Sequence, residues 1–134
     1  MRFSMEQRLS LMAAMIFVIS LCLPAYVDGP PSPHQKAVYG AEVLLVGFIG
    51  GLVGEPRWLA NPIFIYVVLG CLAERRIRTP QLLGFLLLVV AVSLLVYQPR
   101  TIQWAVGAYV WGLSMVLAAF IASLLSMKAQ KKNA

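Results

Sequence analysis

The sequence predicts an all-α fold, a polytopic helical membrane protein formed as a single integral domain over residues 1–134. Three observations predict it. The chain is 60% hydrophobic and 12% charged, with a mean hydropathy of +0.82, whereas a soluble domain carries about 25% charged residues. The apolar residues come in runs that match bilayer thickness rather than the length of a core helix. The basic residues, which leave a net charge of +6, gather at the ends of those runs. That placement orients membrane helices and is not a footprint for nucleic acid.

Ser4 and Gln7 have capping-box spacing, so a first helix begins near Ser4 and continues into the apolar stretch Leu9–Tyr26. That stretch spans roughly 27 Å, close to the hydrocarbon core. Arg2 and Arg8 precede it and favour a cytoplasmic N-terminus. A cleaved signal peptide is the rival reading, but Leu23 and Ala25 make a poor small-x-small site. Asp28 to His34, with Pro30, Pro31 and Pro33, stops the helix in a polar loop on the far side. His34 reads as a solvated loop histidine.

From Val38 to Ala73 the chain is apolar apart from Glu42 and the Glu55-Pro56-Arg57 insertion. One helix over that length would be roughly 54 Å long, so it must break. The break is expected at about residues 55–61, giving helices Val38–Gly54 and Pro62–Arg76, with Asn61 as N-cap of the second. Glu42 falls in a first helical turn, and Glu74 and Arg78 stand four apart in the favourable order. Thr79-Pro80 opens a helix over Gln81–Tyr97, Gln98 to Thr101 form a turn, and Ile102–Met127 form the last helix. Trp104, Tyr109 and Trp111 lie in its first half as interfacial aromatics, and Lys128, Lys131 and Lys132 follow its end.

Four or five hydrophobic helices therefore fit, depending on whether the broken region crosses once in net terms or twice. A single net crossing puts Arg2, Arg8, Arg75, Arg76, Arg78, Lys128, Lys131 and Lys132 on the cytoplasmic side, with only Lys36 and Arg100 opposite. That count favours four crossings. Both arrangements place the C-terminus in the cytoplasm.

Two constellations carry functional weight. Gly47, Gly50, Gly51 and Gly54 form overlapping GxxxG pairs, and Ser114, Ala118, Ala122 and Ser126 form a matching small-residue stripe on the last helix. Such faces pack helices closely, within one chain or between chains. Glu55, Arg57, Trp58 and Asn61 form the second set. At mid-membrane they would make a polar hinge for an ion or ligand. At the membrane surface they would make an interfacial turn with Trp58 as anchor.

No catalytic residues, metal site or cofactor motif can be assigned, and Cys22 and Cys71 read as small apolar residues. The expected role is non-enzymatic: helix–helix interaction with another membrane protein, as an immunity-type protein or an accessory subunit of a membrane complex. The alternative is a homo-oligomeric transporter or channel using Glu55 and Arg57. The expected partners are the lipid bilayer and another membrane protein or a second copy.

Leu23-Pro24-Ala25-Tyr26, followed by the Gly-rich helix and Trp58-Leu59-Ala60-Asn61-Pro62, resembles a loosely defined set of small, mostly uncharacterised bacterial inner-membrane proteins. The resemblance covers roughly the first half of the chain. It implies a location in the bacterial plasma membrane and no particular activity.

Overall fold

Ser4 Oγ accepts from the Gln7 amide at 3.3 Å while Gln7 Oε1 accepts from the Ser4 amide at 2.9 Å. This reciprocal box starts α1, Met5–Leu21. The computed structural model describes residues 3–28, 36–45, 56–74, 77–96 and 102–133. The remaining elements are β1 (Pro24–Asp28), β2 (Ala37–Tyr39), α2 (residues 40–45 described), a 3-10 turn (Pro56–Leu59), α3 (Ala60–Leu72), α4 (Pro80–Val96), β3 (Ile102–Trp104) and α5 (Val106–Asn133). The chain is mostly helical, as the composition predicts. One of its described helices, α5, is long and apolar enough to cross a membrane, and α3 and α4 are shorter apolar helices.

The strands are the departure from expectation. α1 stops at Leu21 rather than continuing to Tyr26, because Pro24 cannot donate to a helix and instead opens β1. β1 is the centre of an antiparallel sheet of order β2-β1-β3. Tyr26 lies opposite Val38 and Trp104, and Val27 opposite Ala37 and Gln103. The two helices expected from Val38 and Ile102 therefore begin later, at Gly40 and Val106.

Glycine permits the close approach at both of those starts. A Cβ on Gly107 would come within 2.6 Å of the Pro24 carbonyl oxygen, and one on Gly40 would overlap the carbonyl oxygen of Ser20. Backbone bonds complete the join: Gly40 N–H donates to Leu23 O at 3.0 Å and Ala105 N–H to Ala25 O at 2.9 Å. One end of the molecule is thus a small sheet fused to the end of α1 and the starts of α2 and α5.

The opposite end is charged. Lys128 near the end of α5 pairs with Glu6 at the start of α1. Gln7 Nε2 donates to Leu72 O at 3.4 Å and to Glu74 Oε1 at 3.2 Å. α1 therefore runs antiparallel to both α3 and α5. Contacts of Gly84 with Ala119 and Ala122, and of Gly112 with Leu94, make α4 antiparallel to α5 as well.

α5 is the central element, packed most extensively on α4 and α1. Leu87, Met115, Ile121 and Val67 are fully buried between the helices, and Phe17 stacks on Phe64 with ring centroids 4.8 Å apart. Large apolar side chains also cover the outside. Met15, Leu69, Phe85, Val92, Leu113 and Phe120 are all exposed, on four different helices. A water-soluble bundle of this size would place polar residues there.

Candidate functional site

The 3-10 turn Pro56–Leu59 stands at the sheet end of the bundle. Leu72 at the end of α3 is tied to Gln7, and the twelve residues back to Ala60 cover about 18 Å. The same rise along α1 leads from Gln7 to about Ile19, next to the sheet. Two bonds agree with that level. Trp58 Nε1 donates to Leu44 O at 3.2 Å, and Trp111 Nε1 in the first turns of α5 donates to Asn61 Oδ1 at 2.8 Å.

Asn61 is therefore not the N-cap expected of it. α3 begins at Ala60, the preceding Leu59 holds the cap position in αR conformation with no side-chain cap bond, and Asn61 is buried against α5 instead. The preceding 3-10 turn already supplies helical backbone geometry, which removes the need for a side-chain cap at Asn61. Arg57 belongs to the turn, but its side chain, like Glu55, lies outside the described residues. Trp58 is half-buried. Of the four proposed binding residues, Trp58 and Asn61 are engaged in tying α3 to α2 and α5.

The small-residue stripe of α5 is buried within the chain: Ser114, Ala118 and Ala122 fully and Ser126 nearly so. The glycine face expected to meet it, Gly47, Gly50, Gly51 and Gly54, lies outside the described residues. So do His34 and the turn at Gln98 to Thr101. The glycine that does meet α5 is Gly84 of α4, where a Cβ would sit 3.1 Å from Ala119 O and 3.2 Å from Ala122 Cβ. Sequence reasoning missed Gly84 because it stands alone in an apolar run, without a second glycine four residues away.

Glu74 and Arg78 do not share a helix. α3 ends at Leu72, Glu74 adopts φ 54°, and its carboxylate accepts from Gln7. Arg78 and Thr79 form the turn into α4, with Thr79 at φ 48° and the Arg78 amide donating to Tyr66 Oη at 3.4 Å. Glu6 is the best-defined ionisable group. The hydrogen bond from Lys128, aided by the first-turn backbone and Ser4, holds its carboxyl below the usual range, with burial opposing. Glu6 is covered by its neighbours but stands at the bundle end beside an exposed Lys128, so solvent screens the pair.

Among the described residues, a groove indents the outer surface between α4 and α5 at the charged end. It has a volume of about 570 Å³ and is lined by Phe85, Leu88, Val116 and Phe120, with Gly84 and Ala119 at its floor and Gln81 and Met127 toward its end. Among the described residues no three His, Cys, Asp or Glu side chains come together as a metal site. Cys71 is buried near the charged end of α3 and Cys22 is exposed at the sheet end of α1. No protein-family model, curated protein or solved structure matches the chain.

Proposed function

We propose that the chain is a four-crossing membrane protein that acts without catalysis, by helix contact with another membrane protein. The observation that carries this reading is the distribution of side chains. Small residues are frequent in the described interior, among them Ser10, Ala13, Ala60, Ser114, Ala118 and Ala122 beside a few larger ones such as Leu87 and Met115, while large apolar residues face outward on every long helix. In lipid there is little hydrophobic force between helices, so small residues suit the interior and large ones the surface. α5 fits the same pattern, since only 44% of its most apolar window is buried. A core helix of a soluble protein would be mostly buried.

On this reading α1, α3, α4 and α5 cross, and α2 with the 3-10 turn stays near the sheet end. The broken region crosses once in net terms, and the Pro56–Leu59 turn lies at an interface rather than at mid-membrane. The end bearing Arg8, Arg78, Lys128 and Lys131 faces the cytoplasm under the positive-inside preference. The outer face of α1 is the best surface for a partner helix: Met5, Met12 and Met15 are exposed beside Val18 and Ile19. Unbranched methionine side chains adapt to a neighbour's shape. An immunity-type or accessory role uses such a surface.

The test is photo-cross-linking in native membranes from Met15, with Val92 on α4 as control, followed by identification of the products. The expected result is a discrete heavier product of one other protein from Met15 and none from Val92. Monomer alone from both positions would overturn the interaction reading.

A further inference from the structure

We propose that the groove between α4 and α5 is a binding site for an anionic phospholipid of the leaflet at the charged end. The inference rests on the membrane reading above and adds a ligand to it. Three features of the groove point to this occupant. Its body is apolar, walled by Phe85 and Phe120, with Leu88 and Val116 along it. Its charged end is polar, and basic residues lie beyond it along the chain at both helices. Gln81, Ser123 and Ser126 line that end, and Arg78 stands exposed just before α4. Phe120, Ser123, Met127 and Lys131 follow one another at three- and four-residue spacing, so the exposed Lys131 continues the α5 wall beyond the groove. Among the described residues no carboxylate lines the groove, and Lys128 is directed elsewhere, to Glu6.

Length selects a lipid over a helix. The lining runs from Val116 to Met127 on α5, about 16 Å of helix. That is close to half of a hydrocarbon core of about 30 Å, the depth of one leaflet. Farther along, Leu94 reaches Gly112 and closes the seam between the two helices. A partner transmembrane helix would need a seam along the whole bundle, whereas an acyl chain needs one leaflet. A basic rim between membrane helices at the positively charged side is the arrangement that recognises anionic headgroups.

The test is lipid titration of the purified full chain, stripped of lipid in detergent, with bound lipid counted by native mass spectrometry. Phosphatidylglycerol and phosphatidylcholine of equal chain length are compared. Two cations at about 1 kcal/mol each predict a preference for phosphatidylglycerol of about thirtyfold. The double variant Arg78→Gln/Lys131→Gln should reduce that preference to within a few fold. Ser123→Trp fills the groove without altering the charges and should lower retention of both lipids. Equal retention of the two lipids by the unaltered chain would overturn the site, as would a preference unchanged in the double variant. A cross-linker at position 123 that captures a protein rather than lipid would do the same. Alkaline carbonate extraction separates the two levels of failure. Release of the chain from membranes overturns the membrane reading together with the site. Retention in membranes without lipid preference overturns the site alone.

Discussion

Ser10 is fully buried and its hydroxyl has no hydrogen-bond partner among the described residues. Other buried or half-buried serines return their protons to their own helix: Ser20 to Phe17 O, Ser114 to Trp111 O and Ser93 to Val90 O, each at 2.6 Å. An unsatisfied hydroxyl costs free energy, so Ser10→Ala should leave stability unchanged or raise it by about 1 kcal/mol, measured by chemical denaturation in mixed micelles. The Trp111–Asn61 pair is the opposite case. Trp111→Phe keeps an aromatic ring but loses the indole N–H and part of the volume packed on the core, so it strands Asn61 Oδ1 and should cost about 1–3 kcal/mol. Combined with Asn61→Ala, the two losses should be less than additive in a double-mutant cycle, because they share one bond. The Glu6–Lys128 pair adds a pH dependence. The folded Glu6 carboxyl is held low by Lys128, below the value of about 4.3 for an unfolded glutamate. Its contribution is therefore present above the unfolded value and lost as pH falls through the folded one. An acid titration of stability should show this loss, and Lys128→Gln should flatten that limb.

Among the elements, α5 bears the most consequence, because it meets β1, α1, α3 and α4. Gly107 sits where its first turn meets the backbone of Leu23 and Pro24. Gly107→Ala should displace that turn and cost about 1–3 kcal/mol, as overpacking does. Gly84→Ala demands a smaller adjustment, since the contacts at 3.1 and 3.2 Å are tight rather than overlapping. A thermal scan of both variants should rank Gly107→Ala as the less stable. Much of this level was readable from residues. The box at Ser4 and Gln7, the proline-led start of α4 at Pro80, and the small stripe of α5 each have a local chemical cause visible in the sequence. The sheet was not readable. Ala37–Tyr39 and Ile102–Trp104 are three-residue strands inside apolar runs, too short for alternation to register against a helical period. The site suffered similarly. Gln7 binding Leu72 and Glu74, and Trp111 binding Asn61, join residues 50 or more apart in sequence, and no spacing rule announces such pairs. The α4–α5 groove arises from Phe85 and Phe120 standing on either side of Gly84 and Ala119, which only the packing of two helices reveals.

At the scale of the molecule, the two ends have different characters. One end is a three-stranded sheet carrying Tyr26, Tyr39 and Trp104. The other carries Glu6, Gln7, Glu74 and Lys128 in a polar clasp that gathers α1, α3 and α5. Between them the surface is apolar on every long helix. On the proposed four-crossing reading, the aromatic sheet would lie at one interface and the basic end at the other. The measurement that tests this most directly is cysteine labelling in intact cells with a membrane-impermeant maleimide. Cys22 is exposed at the sheet end, and Lys131→Cys in a Cys22→Ser background places a thiol at the opposite end. Cys22 should be labelled from outside, and residue 131 only after the membrane is permeabilised. Labelling of both positions from the same side would contradict the four-crossing arrangement.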